Sequence, residues 1–242
     1  MKIVKESLLH LLFPPRCPFC DGILFHSVFL PPEQVCSECL DRQEYVKEPV
    51  CQKCGKPLED EREEYCYDCS RRNWEYVQGK ALWVYKGTVR DSLYRFKYHN
   101  RREYARYYGR ELARIYGGWI RRCRIQAIIP IPLSRRRLRQ RGFNQADLVA
   151  RQVGKELGIP VYSHLLLRVR DTRAQKELND EERKNNLKRA FKTRANKVQL
   201  DHILLIDDIY TTGSTMNEAA KELKQAGAVR VYCLSISIGR GY

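Results

Sequence analysis

The segment ILLIDDIYTTGST, residues 203–215, combines four features in a fixed order. A short apolar run that predicts a buried strand ends in two adjacent carboxylates, Asp207 and Asp208. A loop of small hydroxyl residues and glycine follows, and residues 216–226 then have the pattern of a helix. Loop N–H groups and the positive end of a helix bind phosphate, while carboxylates bind sugar hydroxyls or Mg²⁺. The segment therefore predicts a site for a sugar phosphate.

The same segment resembles the 5-phosphoribosyl-1-pyrophosphate (PRPP) signature of the type I phosphoribosyltransferases. Each piece alone is ordinary, because an Asp-Asp pair is common at the start of a solvated loop and Thr-Gly-Ser-Thr is a common helix N-cap. In this order and spacing they form a specific match over about thirteen residues.

Strand-like and helix-like patterns alternate through the rest of the chain. This alternation predicts an α/β fold with a mostly parallel sheet, in which ligands bind at the carboxyl ends of the strands. The resemblance implies a sheet of the type I phosphoribosyltransferase kind. The predicted strands cover residues 80–85, 125–131, 161–169 (an edge strand), 203–206 and 229–236, and the predicted helices start at Thr88 and cover residues 102–120, 143–157 and 216–226.

Eight of the ten cysteines form four Cys-x-x-Cys pairs, a spacing that supplies thiolates to tetrahedral zinc. With no convincing export signal, metal binding is favoured over disulfides. We predict two consecutive zinc ribbons, each holding one structural ion, although the spacing also permits the first pair to join the third and the second the fourth. The predicted ligands are Cys17, Cys20, Cys36, Cys39, Cys51, Cys54, Cys66 and Cys69.

The predicted domains and the charge divide at nearly the same place. Residues 1–75 are predicted to form an amphipathic first helix (1–13) and the double zinc ribbon, and residues 76–242 the α/β domain. The net charge is −4 over residues 1–79 and +20 over residues 80–242. The basic domain therefore predicts a polyanionic partner, whereas the acidic ribbons favour a structural or protein-docking role. No apolar run approaches the roughly 18 residues of a membrane span.

A second loop is predicted after the strand at residues 125–131. It begins with Leu133 and Ser134 and continues into an arginine-rich run, SRRRLRQRGFNQ at residues 134–145. We expect a basic loop here, because backbone N–H groups and arginines beside a phosphate site can hold a departing pyrophosphate.

Larger parts of the chain resemble the ComF competence family. The match is carried by the PRPP signature, by IPIPLS and RGFNQ within residues 129–145, and by LLFPPRCPFC at residues 11–20. It also includes a spaced set in the second half of the chain, comprising Thr172, Gln175, Leu178, Arg183, Asn186, Ala190 and Phe191.

This resemblance implies a cytoplasmic protein, with the inner face of the cell membrane as a further location, that acts in the uptake of transforming DNA. Its implied partners are single-stranded DNA, PRPP with Mg²⁺, and a DNA-translocating ATPase. Asp207 and Asp208 would be the catalytic pair and contact the ribose hydroxyls and Mg²⁺. The PRPP phosphates would be held by Thr211, Thr212, Gly213, Ser214 and Thr215 and by Leu133, Ser134 and Arg135. Single-stranded DNA would contact the basic stripe of Arg135, Arg136, Arg137, Arg139 and Arg141.

Two functions stay open on the sequence. An enzyme would transfer the ribosyl group of PRPP to an acceptor, whereas a DNA-binding adaptor would keep the phosphate site as a sensor. The two can coexist, and we favour a protein with both properties. A nucleobase-salvage transferase fits less well, because such an enzyme needs neither two ribbons nor a strongly basic domain. No segment for binding a base is identifiable, so the acceptor is open.

Overall fold

A four-stranded parallel sheet organises the protein. The computed structural model describes residues 14–24, 34–169, 190–194 and 198–239. The strand order is β1-β6-β5-β2, and all three neighbouring pairs are parallel. These strands are β1 (Gly79–Val84), β2 (Ala127–Pro130), β5 (His202–Tyr210) and β6 (Arg230–Ile238), and a separate antiparallel pair consists of β3 (Leu166–Arg168) and β4 (Phe191–Thr193).

Both faces of this sheet are covered. The strands are therefore apolar almost throughout, and in β6 every residue after Arg230 is buried. The predicted α/β class with a parallel sheet is confirmed. The described helices are α1 (Ser37–Leu40), α2 (Tyr67–Ser70), α3 (Gly87–Tyr98), α4 (Tyr104–Arg122), α5 (Arg135–Arg141), α6 (Gln145–Leu157) and α7 (Ser214–Gln225).

One local prediction was wrong, and another was too short. Residues 161–169 do not form one edge strand: Val161 makes a single parallel bridge to Ile128, and only β3 follows, in the separate antiparallel pair. The strand at residues 203–206 is longer than predicted, because β5 stays paired with β6 as far as Tyr210. The acidic pair thus lies within the strand and not in the loop after it.

Several predictions fall outside the described residues. They are the first helix at residues 1–13 and, from the spaced set, Thr172, Gln175, Leu178, Arg183 and Asn186. Ala190 and Phe191 are described, and both are buried. In the part of the chain that the structure describes, no helix has the length and apolarity to cross a membrane.

The first ribbon is packed into the core on one face of the sheet. Phe19 meets the ring of Trp83 edge-on, with centroids 5.4 Å apart, and also contacts Tyr107. Asp21 accepts hydrogen bonds from Arg101 and Tyr104. The division predicted between residues 75 and 76 stays a prediction, because the ribbons and the sheet share their hydrophobic cores.

Replacement of Phe19 tests this shared core. We expect Phe19→Ala to lower the free energy of unfolding of the whole chain by about 3 kcal/mol, because the variant leaves a cavity between ribbon and sheet. Ile23→Ala is the control, since Ile23 lies in the same ribbon and is 46% exposed. Denaturant unfolding measures both. A loss below about 1 kcal/mol for Phe19→Ala would mean that the ribbon contributes little to the core.

Candidate functional site

The two carboxylates of the acidic pair have different partners. Asp208 Oδ1 lies 2.9 Å from Lys97 Nζ of α3, and both side chains are only 13% exposed. Asp207 Oδ1 accepts a hydrogen bond of 2.8 Å from the backbone N–H of Asp208. Burial, together with the charge of Asp208, raises the pKa of Asp207 to about 7, although Lys97 and Arg168 act in the opposite direction. A bound cation would therefore stabilise the ionised form of Asp207.

A tight turn connects the acidic pair to helix α7. Gly213 adopts a φ of 74°, and a Cβ on it would lie 2.1 Å from the Tyr210 hydroxyl oxygen, so the position requires glycine. Thr212 Oγ1 lies 3.0 Å from Ser214 Oγ. The first N–H groups of a helix have no intrahelical acceptor. The predicted phosphate loop, Thr211, Thr212, Gly213, Ser214 and Thr215, is thus one turn that ends at the positive end of a 12-residue helix.

The second predicted loop starts beside the acidic pair. Strand β2 is the neighbour of β5, and Pro130 pairs with Ile206 in the parallel register. The chain continues along β5 for one more residue, where the N–H of Ile131 donates to the carbonyl of Ile206 at 2.9 Å. Asn144 Nδ2 then donates to the carbonyl of Ile131. Leu133, Ser134 and Arg135 follow, so both predicted loops leave adjacent strands at the same edge of the sheet.

The arginine-rich run is a helix, which corrects the prediction of a basic loop. Ser134 caps α5, Gly142 ends it with a φ of 75°, and no residue between them breaks a helix. The N–H of Leu138 is already bonded to the carbonyl of Ser134, so only residues 131–134 remain as a loop. Among the predicted DNA contacts, Arg135, Arg136 and Arg139 are exposed, Arg137 is half-buried, and Arg141 is bonded to Gln145 and Tyr98.

The structure brings to the site residues that the sequence analysis missed. Lys97 and Arg168 are the cations whose charges lower the pKa of Asp207. Tyr85 is half-buried, and burial together with the charge of Asp208 raises the pKa of its hydroxyl. None of these residues belongs to a motif, and each reaches the acidic pair from an element distant in sequence. The sequence does not show which elements lie next to each other in the fold, so these residues could not be assigned to the site.

An exposed aromatic surface lies on the same helix as Lys97. Tyr94 and Tyr98 are 56% and 49% exposed, and their ring centroids are 4.9 Å apart. The guanidinium of Arg141 lies 5.0 Å from the centroid of the Tyr98 ring. In contrast, the tyrosines of the next helix, α4, include Tyr104 and Tyr108 in the core. We call Tyr94, Tyr98 and Arg141 the stacking surface.

The eight predicted cysteine ligands form two compact clusters. Within each, the four Sγ atoms lie within 4.8 Å of one another, and the pairs Cys20/Cys36 and Cys54/Cys66 are 3.7 Å apart. Tetrahedral zinc with Zn–S bonds of about 2.3 Å requires a sulfur–sulfur distance of about 3.8 Å. The donor sets therefore fit two structural zinc ions. The sequential pairing is confirmed and the crossed alternative is wrong, since Cys17, Cys20, Cys36 and Cys39 form one cluster and Cys51, Cys54, Cys66 and Cys69 the other.

The ribbon segment matches a known domain family. The family model for the double zinc ribbon domain matches residues 8–70. Competence protein F of Haemophilus influenzae is 40% identical over 108 residues, which are 44% of this chain and 47% of that protein. The chain thus spans about half the length of that relative.

A second relative matches over more of its length. Competence protein ComFC of Bacillus subtilis is 28% identical over 224 residues, covering 87% of this chain and 89% of that protein. The predicted resemblance to the competence family is confirmed by these relatives. Among solved structures, adenine phosphoribosyltransferase from Leishmania donovani is 18% identical with a TM-score of 0.31, over 52% of each chain.

The raised pKa of Asp207 predicts how stability depends on pH. A carboxyl with a raised folded-state pKa favours the folded state below its unfolded pKa of about 4, and this contribution is lost as the pH rises through about 7. Asp207→Asn removes the titration. We therefore expect the variant to gain stability relative to the parent between pH 5 and pH 8, by at least about 1 kcal/mol. Urea unfolding at both pH values measures the difference, and a difference that is the same at both would contradict a raised pKa.

Proposed function

We propose that this chain binds PRPP together with Mg²⁺ at the carboxyl edge of β5 and single-stranded DNA on the adjoining basic surface. Its role is the handling of transforming DNA in the cytoplasm or at the inner face of the cell membrane, with a DNA-translocating ATPase as protein partner. One observation carries the proposal: an acidic pair, a glycine turn at a helix start and a second loop share one edge of a parallel sheet. The relatives named competence proteins support the role.

Each part of PRPP has a matching group at this edge. The turn at residues 211–215 and the start of α7 suit the 5′-phosphate, because helix N-termini bind anions. Asp207 and Asp208 suit the ribose hydroxyls and Mg²⁺, since carboxylate oxygens are its preferred protein ligands. Leu133, Ser134 and the first residue of α5, Arg135, suit the pyrophosphate. When bound, Mg²⁺ supplies positive charge for the phosphates, and in its absence Lys97 neutralises Asp208.

A catalytically active phosphoribosyltransferase of nucleotide metabolism or salvage is the second candidate. In that reaction the bond from the ribose C1 atom to pyrophosphate breaks, and a new bond forms to a nucleophile on the acceptor. The nearness of Lys97 and Arg168 to the acidic pair favours it, because fixed cations stabilise the negative charge of a departing group.

Removal of the acidic pair tests PRPP binding. We expect Asp207→Asn combined with Asp208→Asn to weaken binding of PRPP in the presence of Mg²⁺ at least about tenfold, which is about 1.4 kcal/mol. Asp201→Asn is the matched control, because Asp201 is exposed and precedes the first residue of the same strand. Isothermal titration calorimetry measures all three proteins. Equal affinities for the parent and the double variant would refute the site, and a parallel assay for released pyrophosphate identifies an active transferase.

The stacking surface gives the proposed DNA contact its chemistry. Bases of single-stranded DNA stack on exposed aromatic rings, typically with about 1–3 kcal/mol per base, and arginine adds cation–π attraction. Tyr94 and Tyr98 provide two adjacent rings, and Arg135, Arg136 and Arg139 are exposed within the helix that ends at Arg141. The proposed base contacts thus lie on α3, and the proposed phosphate contacts lie on α5.

Two sets of variants test this separation. Tyr94→Ala with Tyr98→Ala should weaken binding of a single-stranded oligonucleotide at least about tenfold while the salt dependence is unchanged, because stacking releases no counterions. Arg135→Ala, Arg136→Ala and Arg139→Ala together should flatten the salt dependence by about 0.7 per lost phosphate contact. Tyr162→Ala, at an equally exposed tyrosine outside this surface, is the control. Fluorescence anisotropy over a series of salt concentrations distinguishes these results, and full affinity of the tyrosine double variant would exclude the stacking surface.

A further inference from the structure

We propose that Trp74, Glu75 and Tyr76, the segment that leaves the second zinc ribbon, position the phosphate-binding turn, and we call this segment the strap. It follows that zinc in the second four-cysteine centre and a phosphorylated pentose at the turn stabilise each other. The inference rests on the proposed phosphate site and extends it to residues that no motif marks.

Two aromatic residues of the strap close over the turn. The Tyr76 and Tyr210 hydroxyl oxygens are 2.7 Å apart, and both side chains are buried. A Cβ on Gly213 would lie 3.0 Å from Trp74 Cζ3 as well as 2.1 Å from the Tyr210 hydroxyl oxygen. The Trp74 and Tyr76 rings pack at a centroid distance of 5.5 Å. The left-handed glycine at the centre of the turn is thus enclosed by side chains that the strap supplies or supports.

Glu75 fixes the helix that the turn begins. Its backbone N–H donates to Asn217 Oδ1 at 2.7 Å, in the first turn of α7. Its carboxylate lies 2.9 Å from Lys224 Nζ, in the last turn of the same helix. Because the first N–H groups of α7 are the proposed phosphate donors, the strap determines where those donors lie.

The chain that follows the strap contacts the second metal centre. Gly79, where β1 begins, donates its N–H to the carbonyl of Lys53 at 2.7 Å, inside the Cys51–Cys54 knuckle. The approach is close, since a Cβ on Gly55 would lie 2.9 Å from the carbonyl oxygen of Gly79. Cys51, Cys54 and Cys66 share one buried cluster with Tyr76, Tyr210 and Met216 of α7. Four thiolates hold a ribbon only around their metal, so zinc loss weakens these contacts between the ribbon and the chain that follows the strap.

The first ribbon provides an internal control. Cys17, Phe19 and Cys39 pack in the other core cluster, with Trp83 and Tyr107. Coupling between two sites is reciprocal, so a ligand that a metal centre stabilises must itself stabilise that centre. A ligand at the turn should therefore slow zinc loss from the second centre and leave the first centre unchanged.

The test follows zinc release from the full chain into a chromogenic chelator, with and without saturating ribose 5-phosphate. Cys20→Ser and Cys69→Ser variants, each lacking one complete centre, assign the two kinetic phases. We expect ribose 5-phosphate to slow release from the second centre at least about threefold and to leave the first unchanged. In Trp74→Ala this protection should vanish while zinc content stays at two per chain, the number of four-cysteine clusters. Trp74→Phe should retain it.

A milder variant covers the case in which Trp74→Ala fails to fold. Asn217→Ala removes only the hydrogen bond to the strap and should reduce the protection. Protection of both centres, or protection that persists in Trp74→Ala and Asn217→Ala, would overturn the inference. Calorimetry separates its failure from that of the proposed function. Binding of ribose 5-phosphate without protection refutes the strap alone, whereas absence of binding refutes the phosphate site and the inference together.

Discussion

Two adjacent carboxylates within a buried parallel strand are the constraint on which the site depends. Burial of like charges is costly, and the pKa of Asp207, raised to about 7, reflects that cost. The sheet has no packing need for these groups, because buried apolar residues occupy β5 from Ile203 to Ile206. Perturbed carboxyls in such a position are typical of functional sites. Lys97 compensates the charge of Asp208, whereas Asp207 has the backbone N–H of Asp208 and the charges of Lys97 and Arg168 as its compensation.

The zinc ribbons are part of the same structure and not an attached module. The first packs on one face of the sheet through Phe19, and cysteines of the second lie in the core of the other face. Metal binding supplies folding energy to segments that have little core of their own. The second ribbon leads directly into the residues that contact Gly213 and Asn217, and we propose that its stability extends to the turn at residues 211–215. A structural metal can thus serve binding without contacting the ligand.

Local sequence patterns predicted the parts of the site that are local. Three local patterns fold as predicted: the strand before Asp207, the glycine turn and the four Cys-x-x-Cys pairs. The conformation of each is determined by residues adjacent in the sequence. The prediction of a basic loop in the arginine-rich run was wrong, because the caps at Ser134 and Gly142 favour a helix there despite its charge. Lys97 and Trp74 could not be predicted, because their roles arise from contacts between elements far apart in the chain. Spacing alone also left the cysteine pairing open, which the packing of each ribbon decides.

The most direct measurement is a crystal structure of the full chain with ribose 5-phosphate. We expect electron density for the phosphate at the turn of residues 211–215 and for the ribose hydroxyls beside Asp207 and Asp208. Density for the sugar phosphate only at another surface, at saturating concentration, would show that the turn and the acidic pair do not bind it.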